Sequence, residues 1–205
     1  MSENIIQECE TRLNSLQRGI ETATGESYND LTEAVNMVLN RALVAMGAKS
    51  IGLYGCTTIK SIDFPLDVSK TENLIDCLYG TTNLKTMVGF KSTSHIKYFN
   101  FLFQRSGIVS VELPFDLSRA AGGYAQNIAI QAYNLEEIRF VEETISENNI
   151  NFSDNTKLSA ESVLSIAKGL AVITSAKTVI FSTKTVIADE IKTLIAGKGW
   201  TLVQK

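Results

Sequence analysis

The 205-residue sequence predicts an α/β solenoid, and three observations carry that prediction. One phrase recurs through the middle of the chain, each recurrence alternates a short strand pattern with a polar turn, and helical periodicities flank the block at both ends. Leu53-Tyr-Gly-Cys-Thr-Thr-Ile59-Lys-Ser-Ile62-Asp-Phe64 is answered by Leu78-Tyr-Gly-Thr-Thr-Asn-Leu84-Lys-Thr-Met87-Val-Gly-Phe90. A third copy reads Leu102-Phe-Gln-Arg-Ser-Gly-Ile108-Val-Ser-Val111-Glu-Leu113, and a worn fourth runs from Ala129 through Leu135-Glu-Glu-Ile138-Arg-Phe140. The shared frame, apolar-x5-aliphatic-x2-aliphatic-x-apolar, returns after roughly 24–28 residues, within the period range of stacked repeat proteins.

The expected division is a coiled-coil helix for oligomerisation or attachment over 1–24, a capping helix over 25–48, the solenoid over 49–157 and a strand-helix-strand cap over 158–205. In the first segment Ile6, Cys9, Leu13, Leu16, Ile20 and Ala23 step by three and four, with Ile6, Leu13 and Ile20 at a and Cys9, Leu16 and Ala23 at d of a heptad. About three heptads make a short helix that is marginal alone. Two readings stay open: an oligomerising stalk through Ile6, Leu13, Leu16 and Ile20, or an amphipathic helix folded onto its own domain. Gly25 suits the end of this helix, and Ser27-x-x-Asp30 resembles a capping box for the next. Leu31, Ala34, Val35, Val38, Leu39, Ala42, Leu43 and Met46 then form a broad apolar stripe, wide enough to cover the first rung of a solenoid.

Within the repeats, Ile59-x-x-Ile62-x-Phe64 and its equivalents alternate as half-buried strands do. Asp67-Val-Ser69, Lys91-Ser-Thr-Ser94 and Asp116-Leu-Ser118 are turn formers, and Leu74 with Leu78, or Phe99 with Leu102, returns an apolar face to the core. One repeat buries four or five large side chains at ~1.5–3 kcal/mol each. Ordering its roughly 25 residues costs ~1–2 kcal/mol apiece. A single copy therefore cannot fold alone, and neighbours must share a core. In the last segment Leu158, Ser159 and Val163 fit a hydrophobic staple, starting a helix that directs Val163, Leu164, Ile166, Ala167 and Leu170 inward. A strand at Thr178–Phe181, a helix over Asp189–Ala196 with Ile187, Ile191, Leu194 and Ile195 on one side, and a strand over Trp200–Val203 complete the cap, with Trp200 over the final rung.

Asp67-Val-Ser-Lys-Thr-Glu-Asn-Leu74 and Cys77-Leu-Tyr-Gly-Thr-Thr-Asn-Leu84-Lys-Thr-Met87 resemble BspA-type leucine-rich repeats, which read roughly D-x-S-x-x-x-x-M-x-x-M-F-x-x-C-x-x-L-x-x-I. Cys56 falls on the cysteine of that pattern, and Thr81, Arg105 and Ala132 replace it in later copies. The resemblance spans about half of the chain and implies a leucine-rich-repeat solenoid. Asn151 to Ile166, Thr178–Phe181 and the closing Lys198-Gly-Trp-Thr-Leu202 are similar to the C-terminal end of repeat proteins from prophages of Gram-positive bacteria, as Ala23-Thr-Gly-Glu26 is to their N-terminal pieces. Such proteins belong to phage tail fibres or related contractile particles. The resemblance implies a homotrimer, with a dimer as the alternative, made in a bacterial cytoplasm and carried on a virion tail. Its partners would be other tail or baseplate proteins and a bacterial surface protein or glycan. A structural adaptor without a host ligand, or a surface adhesin, are the alternatives.

Net charge is −3 with a sequence pI near 5.3, so no basic footprint points to nucleic acid. The N-terminus lacks the basic and apolar regions of a secretory signal, and no run is long and apolar enough for membrane insertion. Cys9, Cys56 and Cys77 cannot all pair and lack metal spacing, which predicts reduced apolar fillers. The one histidine, His95, has no ligand or nucleophile partner at a useful spacing, so neither a metal nor a cofactor is expected and no catalytic residue is assigned. Glu136-Glu137 and Glu142-Glu143 read as a solvated face, and Gly122-Gly123 and Gly197-Lys-Gly199 as turns. What remains is aromatic. Tyr54, Tyr79 and Phe103 hold the same place in successive copies and predict a column along one face, either a half-buried ladder or a binding strip. Tyr98, Tyr124 and Tyr133, expected in loops, are comparable candidates for a ligand or partner surface.

Overall fold

The computed structural model describes residues 11, 14–22, 52–57, 59–69 and 71–205, with the side chain of Phe64 left out. Ile6, Cys9, Leu13, Ala23 and the whole capping stripe over 25–48 lie outside the described residues. Residues 14–22 are helical; Leu16 is 54% exposed and Ile20 half-buried.

From residue 52 onward the chain passes repeatedly over one core. The side-chain hydrogen bonds that join successive passes span from 19 to 30 residues. On one side of the passes, β1 (Ser61–Asp67), β2 (Thr86–Lys91) and β3 (Ser110–Val111) form a parallel sheet in that order. Isolated bridges Ser110↔Glu137 and Phe115↔Phe140 carry the ladder into a fourth pass. Ile59, Ile62, Leu84, Met87, Ile108, Val111, Leu135 and Ile138 are all buried, an inward pair three residues apart in each pass.

The return side is irregular in the early passes and regular in the late ones. Asn73 bridges to Tyr98, Phe99 N–H donates to Tyr124 O, and Asn151 N–H donates to Gln126 O. From there β4 (Ile150–Phe152), β5 (Lys177–Phe181) and β6 (Trp200–Gln204) form a second parallel sheet. This sheet crosses the boundary expected at 157/158, because β4 belongs to the solenoid segment by sequence. α1 (Ala160–Gly169) and α2 (Asp189–Gly197) take up the opposite side. The strands thus change sides between the first passes and the last, and helices stand where the first sheet was.

The exchange leaves a sheet edge to be closed, since a free edge presents unpaired N–H and C=O groups. Helical serines close it. Ser162 Oγ accepts from Ile138 N–H at 3.0 Å and donates to Glu136 O at 2.9 Å, while Ser165 Oγ accepts from Phe140 N–H at 2.9 Å. The helix starts where its cap dictates: Ser159 has extended backbone, and its Oγ accepts from Ser162 N–H at 3.1 Å. Val163, Ile166, Ala167 and Leu170 are buried, but Leu164 is 38% exposed and turns away from the core that the sequence expected it to join. It lies on the outer side of a helix that contacts protein on one stripe only. At the C-terminal end of α1, Lys198 Nζ donates to Lys168 O at 2.8 Å and to Leu170 O, a cation on the carbonyl end of the helix dipole. Trp200 is buried and its indole N–H donates to Ala171 O at 2.8 Å.

Aromatic rings run through the core. Phe90 lies 5.9 Å from Phe115, Phe115 lies 5.9 Å from Phe140, and Phe140–Phe152 and Phe152–Phe181 follow at 6.2 and 6.1 Å. This chain of rings corrects the last position of the sequence frame twice. Leu66, not Phe64, pairs with Phe90, because β1 carries a register shift between Ile62 and Pro65. A bulge is where a proline is tolerated in a strand. In the third pass Phe115, not Leu113, is the fully buried residue, and it bridges to Phe140.

The turns are made as their residue types suggest. Asp67 Oδ1 accepts from Ser69 N–H and Asp116 Oδ1 from Ser118 N–H, both at 2.9 Å, and Thr93–His95 forms one 3-10 turn.

Candidate ligand-binding surface

The six aromatic candidates do not form one column. The backbone repeats a left-handed residue at the same point of each pass: Gly55 (φ 68°), Gly80 (φ 70°), Arg105 (φ 57°) and Gln131 (φ 58°). Gly55 N–H donates to Tyr79 O and Gly80 N–H to Gln104 O. Counted from this residue, the position one before it holds Tyr54, Tyr79 and then Gln104. The position two before it holds Leu53, Leu78, Phe103 and Ala129, all buried. Phe103 is therefore a core residue and not part of a surface strip; it packs edge-on against Phe115 at 6.0 Å.

The physical cause is a shortened loop. Between the left-handed residue and the strand, the second pass has Thr81, Thr82 and Asn83, but the third has only Ser106 and Gly107. Alignment on Ile108 shifts everything before it by one residue. The shorter loop requires Gly107, because a Cβ there would overlap the carbonyl oxygen of Thr82. The same shift corrects the cysteine position of the repeat: after Cys56 and Thr81 it holds Ser106, with Arg105 one step earlier on the surface.

Tyr54 and Tyr79 are brought together. Their rings stack at 4.7 Å with 3° between planes, and Tyr54 remains 64% exposed. The row continues with a different chemistry. The Arg105 guanidinium lies over the Tyr79 ring, 5.9 Å from its centroid. Arg105 Nε donates to Gln131 Oε1 at 3.2 Å, Gln104 Nε2 donates to the same oxygen at 3.1 Å, and Gln131 N–H donates to Asp154 Oδ2 at 3.2 Å. Arg105 and Gln131 hold left-handed backbone without being glycine, which costs on the order of 1 kcal/mol each. Their side-chain bonds to neighbouring passes offset that strain.

Tyr98 and Tyr124 form a second, separate pair, edge to face at 4.8 Å and 83°, at the start of the return segment. Tyr133 is exposed and stands apart from both.

Of the other groups singled out by sequence, His95 Nε2 lies 2.8 Å from Val68 O and serves the turn between passes. Glu142 pairs with Lys168 at 3.2 Å and Glu143 with Lys198 at 3.7 Å, both as exposed carboxylates. Burial pushes the Cys77 thiol up to about 12, partly countered by its hydrogen bond with the Leu53 backbone; a fully buried thiol of that kind is inert. The Lys192 ammonium, hydrogen-bonded at 2.8 Å, holds the Asp189 carboxyl below its ordinary range. Among the described residues no three His, Cys, Asp or Glu side chains converge at metal distance, and no helix is long and apolar enough to cross a membrane.

The residues that sequence reasoning missed are Arg105, Gln104 and Gln131. The signal that could have found them is the replacement of glycine by Arg105 and Gln131 at a point where the first two copies keep Gly55 and Gly80. No family model matches the chain, and no curated protein or solved structure matches it.

Proposed function

We propose that this chain is a non-enzymatic component of a phage tail fibre or phage-tail-like particle that recognises a bacterial surface through a leucine-rich-repeat solenoid. The observation that carries the reading is the Tyr54–Tyr79–Arg105 row, a rigid aromatic and cationic surface set on stacked passes of backbone. Large aromatic side chains with few rotamers are effective contact residues, and the stack fixes their geometry before any partner arrives. The sequence resemblance of the repeats and of the C-terminal segment to prophage tail proteins supports the biological setting. Parallel passes of roughly 25 residues over a continuous core support the solenoid, whose repeats must share that core.

Multiplication of the surface completes the reading. A homotrimer joined through Ile6, Leu13, Leu16 and Ile20 would present three copies of the row, and Leu16, exposed in the single chain, is available for such a seam. Two measurements test the proposal. Fluorescently labelled protein is expected to decorate Gram-positive cells of the host range and to sediment as a trimer at micromolar concentration. Absence of labelling would refute host recognition in favour of an adaptor role, and a monomer in sedimentation would remove the stalk.

A further inference from the structure

We propose a second binding site, separate from the Tyr54–Tyr79–Arg105 row: the outward face of the second sheet, with the Tyr98–Tyr124 pair upstream of it, takes an uncharged oligosaccharide. The residues that build this face lie within 98–205, all of them described. Strand alternation sets the face. Ile150, Phe152, Val179, Phe181 and Trp200 are buried, so Asn151, Thr178, Ile180, Thr201 and Val203 turn outward. The register lines them up in two rows across the strands, Asn151–Ile180–Val203 and Thr178–Thr201. Asn149 extends the second row, because its Oδ1 accepts from Thr178 N–H at 2.8 Å. Tyr98 and Tyr124 stand on the two preceding passes of the same side, where Phe99 N–H donates to Tyr124 O and Asn151 N–H to Gln126 O. From Tyr98 to Thr201 is four strand spacings of ~4.8 Å, roughly 19 Å, which is room for several sugar rings.

The chemistry of the face selects the occupant. No outward position of this sheet carries a charge. The charged groups stand at its margin: Lys97, paired with Glu72 at 2.9 Å, Lys177, whose Nζ donates to Glu147 O at 3.2 Å, and Lys205 beyond the end of β6. A nucleic acid needs cations that this face lacks. A protein partner, a second copy of the chain included, needs an apolar centre, and only the half-buried Ile180 and Val203 are apolar on the sheet. What the face offers is uncharged donors and acceptors beside an exposed ring, that of Tyr124. The hydroxyls of Tyr98, Tyr124, Thr178 and Thr201 and the Asn149 Nδ2 have no hydrogen-bond partner among the described residues. The amides are placed before any ligand arrives. Asn100 Oδ1 accepts from Asn127 N–H at 3.2 Å and Asn127 Oδ1 from Asn151 Nδ2 at 3.5 Å, a ladder over three passes. Sugar hydroxyls both donate and accept, so amides and hydroxyls pair with them without net charge, while the C–H face of a pyranose suits a tyrosine ring. A shallow face without a charge-assisted bond binds weakly, with a dissociation constant on the order of 1 mM, so it adds to the row and does not hold the chain to a surface alone.

Titration of the isotope-labelled full chain, followed by nuclear magnetic resonance, tests the proposal. Chitohexaose and maltohexaose are the uncharged probes, and hexagalacturonate and the glucosamine hexamer are the anionic and cationic comparisons. The expected result is that an uncharged hexamer moves the amide signals of Asn149, Thr178 and Thr201, equally between about 0.05 and 0.5 M NaCl, and that both charged hexamers bind more weakly. Tyr124→Ala weakens the binding about fivefold. Thr201→Lys, an outward change that leaves the core intact, turns the preference toward hexagalacturonate. Tyr54→Ala leaves the signals moving as in wild type. No shifts with either uncharged hexamer, equal binding of the charged ones, or indifference to both Tyr124→Ala and Thr201→Lys would each overturn the proposal. Shifts lost in Tyr54→Ala would move the sugar to the tyrosine row and overturn the second site. Shifts that persist when the protein labels no cells would support this site and overturn surface recognition alone.

Discussion

Replacing Phe115 by alanine tests whether one core runs from the first sheet to the second. Phe115 is 1% exposed and its ring contacts Phe90 at 5.9 Å, Phe99 at 6.4 Å, Phe103 at 6.0 Å and Phe140 at 5.9 Å. Truncating a buried phenylalanine costs about 3–5 kcal/mol when neighbours cannot collapse into the space. Collapse is restricted here, because the four surrounding rings come from three successive passes whose backbones are hydrogen-bonded to one another. Small domains hold about 5–15 kcal/mol in total, so the loss should be visible as a large drop in the urea midpoint. Phe115→Leu keeps most of the volume and should cost less than about 1.5 kcal/mol. The sole tryptophan, Trp200, lies in the last strand and reports from the far end of the ring chain that runs through Phe140, Phe152 and Phe181. Far-ultraviolet dichroism reports the whole. A shared core predicts that both midpoints fall together in Phe115→Ala. A loss below about 1 kcal/mol, or a Trp200 midpoint that stays put while dichroism shifts, would refute the continuous core.

Three further outcomes follow from named contacts. Gly107→Ala forces a Cβ onto the Thr82 carbonyl and should destabilise by about 1–3 kcal/mol, whereas Gly123→Ser, with no atom near its Cβ position but φ 82°, should cost about 1 kcal/mol of backbone strain; urea melts compare them. Lys198→Met removes a charged donor from Lys168 O and Leu170 O and should cost about 1.5–3 kcal/mol, measured in the same way. Cys77 should resist a thiol reagent in the native protein and react once unfolded, while half-buried Cys56 reacts sooner. Burial raises the folded Cys77 pKa to about 12 from its ordinary value of 9.0, so its contribution to stability is full below pH 9 and is lost as pH rises toward 12. The unfolded chain releases that proton first, giving a slope of about −1.4 kcal/mol per pH unit that Cys77→Ala should lack.

Much of this arrangement is written locally. Ile62, Met87, Val111 and Ile138 announce their inward positions by alternation, and Ser159 with Val163 marks the start of α1 to the residue. What could not be read is where a single residue is gained or lost between passes. The extra residue between Ile62 and Pro65 and the missing one at Ser106–Gly107 leave the apolar pattern nearly intact but turn the neighbouring side chains over. A period of two makes a one-residue slip decisive for the face and nearly invisible in composition. Phe103 falls into the tyrosine column of the sequence alignment for that reason, and Arg105 drops out of it for the same one. The move of the strands to the other side after Phe140 is also illegible, because it depends on which ladder β4 joins rather than on any local propensity. Leu164 misled differently: a leucine on the rim of an amphipathic helix follows the pattern and still faces water.

The two tyrosine pairs show the limit of residue type as a guide. Tyr98 and Tyr124 meet edge to face, whereas Tyr54 and Tyr79 stack in parallel. Nothing in the identity of the residues separates these cases. The left-handed glycines after Tyr54 and Tyr79 do, because they fix both rings at the same phase of consecutive passes.

Co-sedimentation with purified cell wall tests the central claim most directly. Wild-type protein and a Tyr54→Ala/Tyr79→Ala double variant, matched in unfolding free energy to within about 1.5 kcal/mol, would be mixed with walls of Gram-positive hosts and spun down. Recognition through the tyrosine row predicts that wild type pellets with the wall and the double variant stays in solution. Equal pelleting of the two proteins, or wild type remaining wholly in the supernatant, would contradict it.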